Sequence, residues 1–396
     1  MVQQSQALCY SYHIVEYFFQ KHKGAAMMNN AITVHHSANK PRLRTLLTAV
    51  GAGLLSLSLT LPASVQAATS SATDKPYKAL LNVIAGPTSF FLLADEKGYY
   101  RQQGIALEFT PSEGASVVIP MVKPHGFDIG YGDMSTLIEQ IARSEEGKGP
   151  IAVFTTFNEV PFTIAVKADG PITSVKQLEG KRIWGHEADS AMRTFDLYAQ
   201  AAGIDADQTR VFTTDDPMGS QAARIVAGDQ KIDAMFGFVN TIIATSTPYG
   251  VKREQLRFFN YMDLLPDMYG NTLFVTRDMY QQAPDAVRAL VQATNQGLRD
   301  TVADPNAAVD VLVKRYPESD HTINRTRLVG TLKMEMSHPE GAKLGIGAVD
   351  EARLQRLINA IVKAKNLPRT PTAKEVFDPQ FLPPVAQRVT NLANSR

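Results

Sequence analysis

Short apolar runs alternate with helix-length segments along most of the chain. Residues 80–84, Leu-Leu-Asn-Val-Ile, read as a strand, and Gly86-Pro87-Thr88-Ser89 turns the chain into a helix running to about Gln103. Further strands are predicted over 105–110, 127–131 and 151–155. Strand and helix alternating at this spacing predict a mostly parallel sheet covered by helices. The pattern restarts after Lys167, with strands over 181–184, 210–213 and 232–236 and a helix from about Ser190 to Ala202. Residues 185–270 thus read as a second α/β unit, and a strand over 272–276 crosses back to the first. The last third is helical. Asp304-Pro305 places a capping residue before a first-turn proline. Leu354, Leu357, Ile358, Ile361 and Val362 fall at i, i+3, i+4, i+7 and i+8, so a helix after Asp350 buries one face. The Pro-rich segment from Lys365 onward is expected to wrap the surface.

One apolar run breaks this rhythm. Residues 45–61 carry no charge, follow Lys40, Arg42 and Arg44, and lead to the small-residue exit Val65-Gln66-Ala67. A basic start, an uncharged middle and a small-x-small exit describe a secretory signal cleaved after Ala67. The alternative is a membrane anchor, for which 17 residues diluted by Gly51, Gly53, Ser and Thr are short. Residues 1–27 are mixed and aromatic-rich, so translation starts at Met27 or Met28, or the leader is unusually long. No twin-arginine pair precedes the run and no Cys follows it, which favours general secretion of an unlipidated protein. The expected location is the periplasm.

Charge then narrows the class. The 40 basic and 39 acidic residues nearly cancel, and removing residues 1–67 leaves 35 basic and 38 acidic. Nucleic-acid binders normally show a basic excess. The one cysteine, Cys9, leaves with the leader, so multi-Cys zinc sites and disulfide frameworks are excluded. His125, His186, His321 and His338 stand apart, without the spacing of common metal ligand sets. Gly180-Lys181-Arg182 lacks the Ser or Thr of a P-loop, Gly345-Ile346-Gly347 lacks a third glycine, and no Gly-x-Ser-x-Gly elbow occurs. Neither a metal nor a cofactor is implied.

What recurs is a polar or glycine-rich corner after each predicted strand: Gly86 to Ser89, Gly114-Ala115-Ser116, Gly132-Asp133, Asp189-Ser190 and Gly219-Ser220. In open α/β sheets ligands sit beyond the carboxyl ends of the strands. Taken singly such corners are ordinary caps and turns; on two facing units they would line a cleft.

The chain resembles the solute-binding proteins of ABC importers, in the NMT1/THI5-like branch that includes sulfonate- and thiamine-precursor-binding proteins. The resemblance begins at residues 92–105, Leu-Leu-Ala-Asp-Glu-Lys-Gly-Tyr-Tyr-Arg-Gln-Gln-Gly-Ile, and continues through Phe127-Asp128-Ile129-Gly130. It runs on through Leu178-Glu179-Gly180-Lys181-Arg182-Ile183, Ala227-Gly228-Asp229 with Ile232-Asp233-Ala234, Ala303-Asp304-Pro305 and Gly347-Ala348-Val349-Asp350, over about 290 residues in order. It implies a two-lobed, type II periplasmic-binding-protein fold, each lobe a mostly parallel sheet flanked by helices. Lobe 1 would be residues 78–165 with 272–396, lobe 2 residues 166–271, and the crossovers would lie near 162–166 and 271–275. Ligand would close the lobes on a hinge, and a membrane permease with its ATPase would recognise the closed monomer.

On that implied architecture the expected ligand-binding residues are Ser89 and Phe90, Gly132 and Asp133, and Phe157 and Asn158 from lobe 1. Lobe 2 would add Asp189, Ser190, Phe238 and Asn240, with Tyr269 near the hinge. Phe90, Phe157 and Phe238 could sandwich a flat ring or belong to the core, and Arg193 is a possible counter-ion. The acids Asp133 and Asp189 favour a heteroaromatic with ring amino groups, such as a pyrimidine thiamine precursor, over an alkylsulfonate or taurine. Two other classes are compatible with the resemblance. One is a pyrimidine synthase that consumes its own active-site His, whose Cys-rich iron motif is missing here; the other is a periplasmic ligand sensor.

Overall fold

The computed structural model describes residues 75–392; the predicted leader and signal over residues 1–67 lie outside the described residues. Among the described residues, ten strands form two five-stranded sheets. The first holds β1 (Tyr77–Leu81), β2 (Leu107–Pro111), β3 (Ile129–Asp133), β4 (Ile151–Thr155) and β10 (Asn271–Val275), in the order β2-β1-β3-β10-β4. The second holds β5 (Phe162–Lys167), β6 (Arg182–Gly185), β7 (Arg210–Thr213), β8 (Ala234–Phe238) and β9 (Leu256–Asn260), in the order β7-β6-β8-β5-β9.

The two sheets follow one plan. β1 pairs parallel with β2 and β3, and β6 pairs parallel with β7 and β8. One strand in each runs against its neighbours: β10 between β3 and β4, and β5 between β8 and β9. Both sheets are therefore mixed, and the reversed strand is in each case the one that arrives from the other sheet. Residues 162–166, expected as a crossover, form β5 itself, with Ile164 opposite Phe236 and Phe259. The chain passes between the sheets over residues 156–161 and 261–270.

The remaining differences have local causes. β1 ends before Asn82, whose Oδ1 accepts a hydrogen bond from the Val83 amide and turns the chain out of the sheet. The helix expected over 89–103 is broken at Gly98, which sits at φ +75°, a conformation that costs glycine little. The helix expected over 190–202 divides at Thr194, whose Oγ1 donates back to the Ser190 carbonyl. β9 has no regular alternation of apolar residues and was not anticipated.

Three apolar clusters hold the protein together. One lies under the first sheet and the helices of residues 284–332; a second, small one lies around Ile225, Met235 and Ile242. The third runs from Leu80 and Ile138 through Phe162 and Tyr198 to Leu354 and Ile361. The helix Glu351–Ala364 packs on Met134–Arg143 beneath the first sheet and on Phe195–Ala202 beneath the second, so it spans the hinge side. The Pro-rich tail does more than wrap the surface. Val376, Phe377 and Phe381 are buried, and Phe377 bridges to Ala152 while Gly347 bridges to Thr155, covering the β4 edge that would otherwise be unpaired. Among the described residues no helix is long and apolar enough to cross a membrane.

Candidate functional site

The chain leaves the carboxyl ends of β1, β2, β4, β6, β7 and β8 into one cavity of about 110 Å³ between the sheets. From the first sheet's side it is lined by Asn82, Val83 and Pro87, by Glu113, Gly114 and Ala115, by Phe157, and by Asn271 at the start of β10. His186, Ala188, Asp189, Ser190, Met218, Phe238, Asn240 and Thr241 line it from the second. Arg327 and Thr331, one helical turn apart on the helix His321–Lys333, complete the wall.

Contacts between the lobes close the cavity at two rims. Ser116 Oγ donates to the Ala188 carbonyl at 2.9 Å, and a Cβ at Gly114 would come within 2.5 Å of that same oxygen. At the other rim Asn240 Nδ2 donates to the Arg327 carbonyl, Thr331 Oγ1 and Glu335 Oε2 at 3.1, 2.8 and 2.9 Å. The helix carrying Arg327 is fixed to the first lobe, where the Asn324 Oδ1 accepts from the Gly86 amide at 2.8 Å. Asn240 thus bonds across the lobes, and the arrangement is a closed one.

Several lining groups have unmet hydrogen-bonding capacity. Ser190 Oγ is buried without a partner, as are both amide atoms of Asn271 and the Nε of Arg327. Buried polar groups are nearly always paired, so such a cluster in one cavity marks a place for a ligand or water. Asp189 caps the segment Ser190–Arg193, its Oδ1 accepting from the Ala191 and Met192 amides at 2.7 and 3.3 Å, and burial pushes its carboxyl up to about 6. His186 Nε2 lies 2.8 Å from the Asp216 carbonyl, an acceptor only, which assigns the proton to Nε2. Among the described residues no group of three His, Cys, Asp or Glu side chains is placed to hold a metal ion.

Of the eleven residues expected from the sequence, the structure brings Phe157, Asp189, Ser190, Phe238 and Asn240 together at the cavity. The other six stand behind it. Ser89 is buried and donates to the Gly86 carbonyl, and Phe90 packs against Phe91 and Tyr131 in the core. Gly132 lets β3 approach the helix Ala115–Val122: a Cβ there would lie 2.7 Å from the Ala115 carbonyl. Asp133 caps the helix Met134–Arg143 through Thr136, and burial lifts its carboxyl to about 7. Asn158 is packed against Gly341 and the His338 carbonyl. Tyr269 donates to the Glu340 carboxylate beneath the Arg353 guanidinium. Arg193 is exposed and donates to the Glu187 carbonyl.

The sequence reading missed Asn82, Asn271, Arg327 and Thr331. Asn271 adjoins a recognised strand and could have been found from the strand end, whereas Asn82 lies inside the predicted strand 80–84 and is freed only because β1 ends at Leu81. Arg327 and Thr331 lie in a helix far along the chain, and no local signal ties them to the cleft.

A family model described as NMT1/THI5 like matches residues 87–308. The riboflavin-binding protein RibY of Chloroflexus aurantiacus is 24% identical over 301 residues, covering 74% of this chain and 82% of RibY. A 4-amino-5-hydroxymethyl-2-methylpyrimidine phosphate synthase of Legionella pneumophila is also 24% identical, over 57% of this chain and 69% of its own. Among solved structures, the alkanesulfonate-binding protein SsuA of Xanthomonas axonopodis pv. citri, bound to MOPS, superposes with a TM-score of 0.57 at 13% identity. It covers 77% of this chain and 98% of its own. The periplasmic aliphatic sulphonate-binding SsuA of Escherichia coli gives 0.57 at 12% identity, covering 76% and 97%. These likenesses show the fold, the two-lobed periplasmic-binding-protein fold.

Proposed function

Because the chain belongs to the NMT1/THI5-like family, we propose that it is an exported, periplasmic solute-binding protein that encloses a small ring-bearing molecule between its lobes and delivers it to an ABC permease and its ATPase. The observation that carries this reading is the cavity walled from both lobes and lined by Ser190 and Asn271 groups without partners. Such groups hold a solute by hydrogen bonds that only closure completes, so the solute shifts the population toward the closed state. Phe157 and Phe238, one from each lobe, line the cavity with aromatic rings, that of Phe157 nearly all buried against Tyr131 and that of Phe238 more open. Asp189 offers an acceptor to a ring amino group, which keeps a pyrimidine of the thiamine-precursor kind ahead of an alkylsulfonate.

Size supports a compact solute. The cavity is small, about 110 Å³, and open on one side, so with the lobes this close it suits a compact solute better than a flavin. The test is a thermal-shift screen against pyrimidines, flavins, aromatic acids and alkylsulfonates. A true solute at 100 times its Kd adds about 2.7 kcal/mol to stability, a readily visible rise in melting temperature. No rise with any class would overturn the reading.

A second reading is favoured by His186 at the cavity wall and by relatives named as pyrimidine phosphate synthases: the protein would make a pyrimidine at the expense of that imidazole. Intact-mass spectrometry before and after incubation with iron separates the two. An unchanged chain mass is expected for a binding protein; loss of mass at His186 would replace binding by synthesis.

A further inference from the structure

Arg327 is the one cationic side chain of the cavity wall, and nothing in the described structure neutralises it. Its guanidinium makes no hydrogen bond or ion pair, and its Nε is fully buried. Burial pulls its pKa down to about 10, so the group still carries its charge at neutral pH. The carboxyl nearest in influence is Glu335, just past the C-terminal end of the helix His321–Lys333. That carboxyl accepts a hydrogen bond from Asn240, its other oxygen has no partner, and burial raises its pKa to about 8. Burial weakens it as a counter-charge, and no ion pair or hydrogen bond joins it to the guanidinium. The other acids lining the cavity make no ion pair with Arg327: the Asp189 Oδ1 caps the segment Ser190–Arg193, and Glu113 is exposed. Arg327 is half-buried, with its Nε out of reach of water and its fork of donors unengaged, and a guanidinium fork held in this way matches the oxygens of an oxyanion.

Building on the solute-binding reading above, we propose that the solute carries an oxyacid group, a carboxylate, sulfonate or phosphate, that seats against the Arg327 guanidinium when the lobes close. The ring then lies toward Phe157 and Phe238. The Ser190 hydroxyl and the Asn271 amide, both buried and unpaired in the same cavity, supply further hydrogen bonds. Arg327 also explains why the helix His321–Lys333 is part of the wall. Its main-chain carbonyl is held by Asn240 of the opposite lobe, so the bond that closes the rim also fixes the backbone from which the guanidinium projects.

The experiment uses protein expressed from the full chain and matched probes differing in charge. These are 4-amino-5-hydroxymethyl-2-methylpyrimidine against its phosphate, and benzamide against benzoate, benzenesulfonate and phenyl phosphate, measured by calorimetry at low salt. The wild type is expected to bind the acid of at least one pair about 30-fold more tightly than its neutral partner, the size of a charged hydrogen bond. Which acid wins assigns the source of the oxyanion. Arg327→Gln should reduce the preference to about threefold or less, whereas Arg327→Lys should keep part of it. Neutral probes binding the wild type as tightly as every acid would overturn the anion proposal while leaving the binding-protein reading intact. Binding of no probe at all would overturn both. Should Arg327→Gln fail to fold, the wild-type preference and the Arg327→Lys variant still decide. An acid preference that survives in a folded Arg327→Gln protein would overturn the assignment to this residue.

Discussion

At the scale of single residues, the cavity wall trades stability of the empty protein for affinity. Ser190 Oγ has lost water without gaining a partner, which costs free energy until a solute arrives. Ser190→Ala is therefore expected to leave the melting temperature of the empty protein unchanged or slightly raised, while weakening solute binding about tenfold. Loss of stability with unchanged affinity, in melting and titration experiments, would assign the serine to the fold instead. Buried carboxyls behave in a related way. Burial raises Asp133, Asp189 and Glu335 to about 7, 6 and 8. The folded protein holds these protons more tightly than the unfolded chain, so the contribution is fully present below pH 4 and declines as pH rises through the folded-state values. Melting temperature should fall between about pH 5 and pH 8. Glu335→Gln, which keeps the shape and cannot ionise, should flatten the upper part of that decline.

At the scale of elements, the segment entering β10 is held by a buried network. Arg353 bonds Glu340 at 3.0 Å and the Met268 carbonyl at 2.8 Å, lies 4.1 Å over the Tyr269 ring, and both charged side chains are under 10% exposed. Tyr269 in turn accepts from the Asp350 amide, which starts the helix Glu351–Ala364. The helix that spans the hinge side is thus fastened to the chain passing between the sheets. Removing one partner of a buried pair leaves the other uncompensated, so Arg353→Ala should cost about 3–5 kcal/mol in denaturant unfolding. The double variant with Glu340→Ala should cost less than the sum of the single changes, because the two share one interaction. Tyr269 belongs to this network, which explains why a residue read as a ligand contact works behind the site.

At the scale of the whole molecule, closure depends on how nearly the two rims can touch. A Cβ at Gly330 would fall 2.8 Å from Asn240 Cβ across the cleft. Gly330→Ala favours the helix it sits in by about 1 kcal/mol while pushing the lobes apart. The expected result is an unchanged or higher melting temperature, a larger radius of gyration in small-angle scattering, and solute binding weakened about tenfold. Unchanged scattering and affinity would show that the rim adapts without opening.

The sequence by itself determined the elements and the class of fold, because apolar period, capping residues and turn glycines act within a few residues of one another. Asp304 caps its helix as expected, a helix follows Asp350, and β4 and β7 match their predicted bounds. The corner Asp189-Ser190 was legible for the same reason, while Phe157, Phe238 and Asn240 came from the architecture that the family resemblance implies. Which corners face the cavity was decided by tertiary structure. Strand direction sends Gly132 and Asp133 into packing and β5 into the opposite sheet, and Phe90, at a helix start, turns inward because that helix buries its apolar face. Arg327 is more than 80 residues from Asn240 in the chain and meets it only when a helix fixed to one lobe reaches across to the other. No local pattern encodes such a meeting, since both residue types are ordinary on a helix surface; packing of the two lobes places them together.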